Sequence, residues 1–382
     1  MREIYLDNAA TTKVDEKVVE AMLPYFKEKY GNASSQHLKG AEAREALDRS
    51  RKIIASSINA KSHEVIFTCG GTEANNFVLK GLFFANRGLD KNHIITTKIE
   101  HDCILKTCKW LENQGARITY LDVNKEGFID LKQLENSITE KTILVSVIHG
   151  NNEIGTIQDL GEIGKICRKK GVLFHTDACQ SYTKTFLNVQ KQNLDLVTLN
   201  SHKIHGPKGA GALYIRDGVK ITPLFHGGEH EKGLRSGTEN IPGIVGFAKA
   251  IEIVKDKDIK KIKELRDKLI VGLLKIEKVT LNGPTGDRRL CNNVNVSFNN
   301  IEGESVGGYL EREGIFVSTG SACMSNTLES SHVLKAIGLS PLQSNSSLRL
   351  SLSKYTTEED INHVLEVLPK IVNKLRKISP LL

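Results

Sequence analysis

Residues 174–214 read FHTDACQSYTKTFLNVQKQNLDLVTLNSHKIHGPKGAGALY, and this stretch predicts an open α/β fold. The apolar run 172–174 indicates a buried strand, with Asp177 at its carboxyl end. Lys203 follows small polar residues and precedes a glycine–proline turn at 206–207. In an open α/β sheet, ligands bind beyond the carboxyl ends of the strands. We therefore expect Asp177 and Lys203 to reach the same crevice.

A lysine amine and a carboxylate in one crevice suggest a cofactor that needs both groups. Pyridoxal 5'-phosphate fits, because its aldehyde forms a Schiff base with a lysine and its ring nitrogen is stabilised by an acidic partner. Taken separately, Lys203 is more simply a solvated turn residue and Asp177 a strand-end cap, since most charged side chains lie at the surface. The hypothesis therefore depends on motifs elsewhere in the chain.

The length and composition of the chain are those of a globular protein. It has 382 residues, more than a single core usually supports, so we expect two domains or one domain with an appendage. Its 39% hydrophobic and 26% charged residues are ordinary for a soluble protein. No apolar run approaches the roughly 18 residues that a membrane span requires. The N-terminus has no apolar core of a signal peptide, which predicts a cytoplasmic protein.

The cysteine and charge patterns argue against several kinds of site. Seven cysteines, an odd number with no CxxC pair, do not suggest a disulfide framework or a zinc ribbon. The net charge of +8 includes a denser basic run at 255–268 that is typical of a solvated helix face, so nucleic-acid binding is not directly expected. His226 and His230 could form a metal pair, but the glycines between them indicate a loop and no third ligand is evident. We expect no metal site.

Strands and helices alternate over the first part of the chain. The strands are predicted at 65–68, 93–97, 117–121 and 142–149. The helices are predicted at 16–29, 42–58, 70–86, 102–114, 131–137 and 160–170. This alternation implies a mostly parallel sheet with helices on both faces. After a helical stretch at 242–277 the pattern becomes α+β, which indicates a smaller domain. Four polar residues fall just beyond strands, and this shared placement favours a site: His101, Asn152, Asp177 and Lys203.

Glycines at the turn from the strand at 65–68 into the next helix suggest an anion site. Gly70 and Gly71 would let the backbone approach an anion while the first-turn amides point at it. The helix dipole contributes only about 0.3–1 kcal/mol at an exposed site, so side-chain donors must add the rest. Thr72 is well placed to do so. The alternative is a plain glycine turn.

Cys323 has an unusual environment for a cysteine. It lies in the segment 318–325, among serine, threonine, glycine and alanine, with no apolar run to bury it. This composition indicates an exposed loop and a candidate nucleophile. At a pKa near 8.5 only about 3% of a thiol is ionised at neutral pH, so the nucleophile would need a nearby base or cation. Cys179, beside Asp177, is the alternative thiol, although its position at a strand end favours a packing role.

The accumulated motifs resemble those of the cysteine desulfurases, pyridoxal-phosphate enzymes of fold type I in the class V aminotransferase-like group. The resemblance covers essentially the whole chain. Within the family, the chain is similar to the branch with a long catalytic loop. The motifs that carry it are IYLDNAATT at 4–12, GGTEANN at 70–76, EHD at 100–102, NNEIG at 151–155, TDACQ at 176–180, SHKIHGPKG at 201–209, RSGTEN at 235–240 and STGSACMS at 318–325.

The family resemblance implies a two-domain fold. A large cofactor-binding domain at 13–257 would contain a seven-stranded, mostly parallel sheet flanked by helices. A smaller α+β domain would combine 1–12 with 258–382 and carry the Cys323 loop.

The resemblance also implies a role for each matching residue. Lys203 would form the Schiff base and remove the α-proton, Asp177 would pair with the ring nitrogen, and His101 would stack on the ring and move protons. Gln180 would bind the phenolic oxygen of the cofactor, and Asn152 would contact both cofactor and substrate. Arg349 would bind the substrate carboxylate through its bidentate fork. The phosphate would be held by Gly71, Thr72, Ser201, His202 and, from the partner subunit of a homodimer, Thr238.

The implied reaction converts L-cysteine to L-alanine and transfers the sulfur to Cys323 as a persulfide. The sulfur would then pass to an acceptor protein, such as a scaffold for iron–sulfur cluster assembly, or to a thiolation pathway. One alternative is a selenocysteine lyase or another β-eliminating enzyme of the same fold. A non-catalytic sulfur-carrier scaffold is less favoured, because the chain retains the residues of a working site together: Lys203, Asp177, His101 and Arg349.

Overall fold

The computed structural model describes residues 2–319 and 330–379. Its strands are β1 (Ile4–Tyr5), β2 (Val65–Thr68), β3 (His93–Thr97), β4 (Arg117–Leu121), β5 (Thr142–Ser146), β6 (Leu173–Asp177), β7 (Leu196–Asn200), β8 (Gly211–Ile215), β9 (Val279–Leu281), β10 (Asn293–Phe298), β11 (Ile315–Phe316) and β12 (Ser347–Ser351). Its α-helices are α1 (Glu16–Met22), α2 (Pro24–Lys27), α3 (Leu38–Ser57), α4 (Gly71–Ala85), α5 (Asp102–Glu112), α6 (Leu131–Ser137), α7 (Leu160–Lys170), α8 (Ile241–Glu252), α9 (Asp256–Leu273), α10 (Gly303–Arg312), α11 (His332–Ala336), α12 (Pro341–Asn345) and α13 (Glu358–Ile378).

The main sheet has seven strands in the order β2-β8-β7-β6-β5-β3-β4. Neighbouring strands are parallel except where β8 pairs antiparallel with β2 and with β7. Separate apolar clusters pack against its two faces. This arrangement confirms the predicted α/β fold with a mostly parallel seven-stranded sheet flanked by helices.

The direction of these strands brings six chain segments to one edge of the sheet. Strands β3, β4, β5, β6 and β7 run parallel, and β2 has the same direction because two antiparallel pairings separate it from β7. Their carboxyl ends therefore meet at a single edge, where ligands bind in sheets of this kind. Every residue of β7 is buried, as expected for a strand covered on both faces.

A second, smaller unit combines the N-terminus with the C-terminal third. Strands β9, β10 and β12 form an antiparallel sheet, and β1 pairs in parallel with β11. An apolar cluster of its own includes Ile4 and Leu6 from the N-terminus, together with side chains of α9, α10 and α13. The exact division at residues 12–13 and 257–258 stays a prediction.

Two predicted helix boundaries were wrong. The helix predicted at 16–29 is interrupted, because Pro24 has no N–H to donate into the preceding turn and starts α2 instead. The stretch 242–277 is helical as predicted and contains two helices, α8 and α9. Helix α3 begins at Leu38 rather than at residue 42, because the ring of His37 caps it by accepting a hydrogen bond from Gly40 N.

Candidate active site

Asp177 is the last residue of β6, and its carboxylate is buried at the ligand-binding edge. Its Oδ1 accepts a hydrogen bond from the Cys179 amide at 2.9 Å, and its Oδ2 accepts one from Asn75 Nδ2 at 2.7 Å. The two hydrogen bonds fix the orientation of the carboxylate at the strand end.

Lys203 lies in the turn that follows β7 and is half-buried. Its carbonyl oxygen accepts a hydrogen bond from Lys184 Nζ at 3.1 Å, and the same ammonium donates to Gln180 O at 2.9 Å. Burial lowers the pKa of Lys184 to about 8. The half-buried Lys184 thus connects the turn of Lys203 to the segment that follows Asp177.

His101 follows β3 and caps the start of α5. Its Nδ1 accepts a hydrogen bond from the Cys103 amide at 3.2 Å. Burial, and then the nearby charge of Lys203, lower the pKa of His101, while Asp177 raises it. The imidazole is therefore neutral at neutral pH. These mutual influences place His101, Lys203 and Asp177 in one electrostatic neighbourhood.

Gly71 opens α4 at the same edge, where there is no room for a side chain. A Cβ at this position would lie 2.5 Å from Cys179 Sγ, so only glycine allows this approach. Thr72 follows it and is exposed to solvent. At the end of β7, two buried polar atoms have no hydrogen-bond partner among the described residues: Asn200 Oδ1 and Ser201 Oγ.

His202 completes this group of small polar residues. Its Nδ1 lies 3.2 Å from Thr11 Oγ1, and burial lowers the pKa of its ring to about 4, helped by Lys203 and two further lysines. The ring is therefore a neutral hydrogen-bonding group. First-turn amides, hydroxyls and a neutral imidazole are groups that bind a phosphate.

Thr238 lies on a segment that is held to the start of α4. The Arg235 guanidinium contacts both carboxylate oxygens of Glu73, at 2.9 and 3.3 Å. Glu73 also accepts a hydrogen bond from the Cys69 amide at 2.8 Å. Thr238 itself is exposed.

Arg349 is buried on β12 and faces the crevice from the smaller unit. One terminal nitrogen contacts Asp7 Oδ1 at 2.9 Å, and the other donates to Asn152 O at 3.3 Å. Its Nε has no partner among the residues that the structure describes. The guanidinium therefore keeps donor capacity for a second carboxylate beside Asn152.

Cys323 lies outside the described residues, but the chain on both sides of it is anchored at the crevice. Before it, Ser318 exchanges two main-chain hydrogen bonds with Arg349, at 3.1 and 2.7 Å. After it, Ser331 Oγ donates to Glu153 Oε2 at 2.6 Å, next to Asn152.

Comparison with known proteins identifies the family of this chain. Residues 4–364 match the family model "Aminotransferase class-V". Cysteine desulfurase IscS of Methanosarcina thermophila is 51% identical over 384 residues, covering 100% of this chain and 94% of the relative. The same-named protein of Dictyoglomus turgidum is 50% identical, covering 99% of this chain and 97% of the relative. The chain belongs to the cysteine desulfurase family.

Two solved structures share the fold. A NifS-like protein superposes with a TM-score of 0.91 at 38% identity, covering 98% of this chain and all of that chain. A structure described as SspA in complex with cysteine gives a TM-score of 0.83 at 38% identity, covering 93% of this chain and all of that chain.

Cysteine desulfurases use pyridoxal phosphate, and the residues at this edge fit that cofactor. It requires a lysine amine, an acidic partner for the ring nitrogen and an anion site. Lys203, Asp177 and the polar groups around Gly71 supply these three. The unpartnered Asn200 Oδ1 and Ser201 Oγ are consistent with a ligand that occupies this space.

The other predicted residue of the cofactor site, Gln180, follows β6 and is buried. Its Nε2 donates to Ala9 O at 2.8 Å, which connects the N-terminal segment to the site. Cys179 is also buried, and burial raises the pKa of its thiol well above the usual value. It packs beneath Gly71 and is not a nucleophile poised for attack.

Sequence reasoning missed four side chains that contact this site. Asn75 and Glu100 lie within motifs quoted above, but a motif does not indicate which groups a side chain contacts. Glu100 hydrogen-bonds to Thr97 and the Ile148 amide, and burial raises its pKa to about 8. The four residues are Asn75, Glu100, Cys103 and Lys184.

Two further observations concern the molecule as a whole. In the described ranges 2–319 and 330–379, no group of three or more His, Cys, Asp or Glu side chains could hold a metal ion. Within the same ranges, no helix combines the length and the apolar character needed to cross a membrane.

Proposed function

We propose that this protein is a cysteine desulfurase that converts L-cysteine to L-alanine and transfers the sulfur to Cys323. The observation that carries the proposal is the meeting of Lys203, Asp177, His101 and Arg349 at one crevice. Each of these residues comes from a different strand or strand end. A non-catalytic carrier has no use for the first three together.

The described residues bind and orient the substrate. The Arg349 guanidinium would hold the carboxylate of cysteine, because Asp7 engages only part of its donor set. The amine of Lys203 would take the α-proton. Pyridoxal phosphate, when bound, supplies the electron sink for bond breaking at the amino acid. Its phosphate would be bound by Gly71, Thr72, Ser201, His202 and Thr238, and its ring by Asp177, Gln180, Asn152 and His101.

Cys323 would accept the sulfur. Its thiolate forms an S–S bond with the sulfur of the substrate while the C–S bond of the substrate breaks. The electron pair stays with the carbon, which takes up a proton to give alanine. A neutral His101 can hold and move a proton near this point. The product on the enzyme is a persulfide at Cys323.

We also propose a homodimer, and exposed apolar side chains on one face of the molecule support it. Two large apolar side chains that line one surface pocket are exposed there: Tyr30 at 70% and Leu38 at 85%. A further cavity is lined by residues that include Ser34 and Glu239, the neighbour of Thr238. Exposed apolar side chains that lie together can mark an interaction site. A partner subunit on this face would reach the neighbourhood of Thr238.

The sulfur acceptor is proposed to be a protein, such as a scaffold for iron–sulfur cluster assembly, in the cytoplasm. The acceptor rests on the family resemblance. The cytoplasmic location rests on the cysteine content, because a reducing compartment keeps unpaired thiols reduced.

Three variants test the activity. The purified protein should absorb in the visible range and release alanine when cysteine is added. Lys203→Ala should lose the visible band. Cys323→Ser should retain the band but release little alanine or sulfide. Cys167→Ser, at a cysteine on α7 that is not part of the proposed site, is the matched control and should keep both.

One result would contradict the assignment of Cys323 as the nucleophile. If Cys179→Ser abolished turnover while Cys323→Ser left it intact, Cys323 would not be the sulfur acceptor. If selenide were released from selenocysteine while cysteine gave no sulfide, the enzyme would be a lyase instead.

A further inference from the structure

Asn75 connects two parts of the active site that do not contact each other. It is completely buried on α4, one helical turn after Gly71. Its amide nitrogen donates to Asp177 Oδ2 at 2.7 Å and to Cys103 Sγ at 3.1 Å. An amide nitrogen has two N–H groups, so both are used.

The orientation of this amide is determined by its neighbours. With the amide turned over, its oxygen would face the carboxylate of Asp177, which accepts hydrogen bonds and cannot donate when ionised. The observed orientation leaves Asn75 Oδ1 buried without a partner among the described residues. An unsatisfied buried acceptor is a cost to stability. The contacts to Asp177 and Cys103 are therefore kept despite that cost, which suggests a role in the chemistry.

Cys103 contacts both Asn75 and His101. Its Sγ accepts from Asn75 and lies 3.0 Å from His101 Nδ1. Burial, and then the charge of Asp177, raise the pKa of this thiol to about 12, so it carries its proton at neutral pH. The S–H group can then donate to Nδ1.

The tautomer of His101 follows from a second contact. The main-chain N–H of Cys103 can only donate, and it donates to His101 Nδ1 at 3.2 Å. Nδ1 is therefore an acceptor, and the proton of the neutral ring lies on Nε2. The N–H and the S–H of one cysteine both select this tautomer.

We propose that Asn75 and Cys103 are positioning residues that link Asp177 to His101 and hold the proton of the neutral His101 ring on Nε2. The inference rests on the proposed function, in which His101 moves protons and Asp177 pairs with the cofactor ring. The link runs from Asp177 through the Asn75 amide and the Cys103 thiol to Nδ1. The position of the proton on the His101 ring therefore depends on the Asp177 carboxylate.

The test follows the ring of His101 directly. Holoenzyme with [15N]histidine is studied by NMR, with the His101 signals assigned from a His101→Gln variant. The wild type should show Nδ1 as the unprotonated nitrogen. Cys103→Ala should shift the Nδ1 resonance and lower kcat about two- to tenfold, the range for losing one hydrogen bond, with little change in KM. Cys103→Ser should restore both, because a hydroxyl also accepts and donates.

Asn75→Ala is the decisive variant, because Asn75 does not touch His101. It should shift the same resonance in the same direction as Cys103→Ala. The double variant should differ little from the single ones, since both break one chain. Asn76→Ala is the matched control. It removes the 3.0 Å hydrogen bond that Thr107 Oγ1 donates between the same two helices, and a 2.9 Å bond within α4 to Thr72 O. Neither reaches Asp177 or His101.

Two results would overturn the inference. One is a wild-type enzyme in which Nδ1 carries the proton. The other is a His101 resonance that Asn75→Ala leaves in place. Both readouts need no turnover, so they are separate from a failure of the proposed desulfurase activity. The groups whose charge acts on His101, namely Lys203, Asp177, Asp102 and His332, are unchanged in every test variant.

Discussion

At the scale of single residues, Arg349 is a buried charge whose hydrogen-bond donors are only partly used. Asp7 neutralises part of its charge in the smaller unit, and the Asn152 carbonyl accepts from another nitrogen. A buried guanidinium with no carboxylate at all would be costly. With one carboxylate in place, the fork remains available for a second.

Replacing Arg349 by lysine should therefore separate binding from cofactor chemistry. A lysine keeps the charge but loses the planar fork, so it cannot hold Asp7 and the substrate carboxylate in the same geometry. A hydrogen bond to a charged group contributes about 1.5–3 kcal/mol, so KM for cysteine should rise about ten- to hundredfold. The visible absorption of the cofactor should stay unchanged.

Arg288→Lys is the matched control for this substitution. Arg288 forms an exposed pair with Glu126 at 3.0 Å, and KM should not change there. An unaltered KM in Arg349→Lys would remove Arg349 from the substrate site.

At the scale of secondary-structure elements, the sequence predicts the strand ends better than the contacts between elements. The bounds of β3 and β4 were predicted correctly, because apolar strand runs are bounded by polar turns. The short β9 was not predicted, since three residues carry too little periodicity. The position of Asp177 beyond an apolar run was also readable. The contact of Asn75 with Cys103 was not, because it depends on how α4 and α5 pack against each other.

Strand β6 also carries a histidine that the sequence did not single out. His175 is fully buried, with Nδ1 at 2.9 Å from Ser146 Oγ and Nε2 at 3.0 Å from Thr198 Oγ1. It therefore spans three strands of the sheet. Burial lowers the pKa of His175 to about 4. The unfolded chain, with a histidine pKa near 6.5, binds the proton first as the pH falls.

Stability should consequently be lost as the pH falls from about 6.5 towards 4, where the unfolded state binds more protons than the folded state. At pH 5 the loss from His175 is about 2 kcal/mol relative to pH 7.5. In His175→Gln, the difference in unfolding free energy between these two pH values should shrink by roughly that amount. Urea unfolding at equal cofactor concentration measures it. The exposed His226→Gln should keep the wild-type difference, and an unchanged difference in His175→Gln would contradict the assignment.

At the scale of the whole molecule, the open question is which subunit completes the phosphate site. Within one chain, Arg235 is bonded to Glu73, which holds the segment of Thr238 near the start of its own α4. The family resemblance instead places Thr238 in the site of the partner. The exposed side chains of Tyr30 and Leu38 favour a partner on this face. Sequence patterns cannot decide between the two arrangements, because both use the same residues in the same order.

A mixed dimer distinguishes them. Lys203→Ala and Thr238→Glu should each inactivate the homodimer, the first by removing the amine and the second by repelling the phosphate. In a hybrid of the two chains, purified through two different tags, a Thr238 that acts across the interface leaves one site intact. Activity should then return to about half of the wild-type value per dimer.

A hybrid of Lys203→Ala with Arg349→Ala is the control. Each substitution there damages the site of its own subunit, since Arg349 contacts Asn152 of the same chain. At a cysteine concentration near the wild-type KM, this hybrid should therefore recover no activity. If the first hybrid is equally inactive, Thr238 serves its own subunit and the dimer is not needed to bind the phosphate.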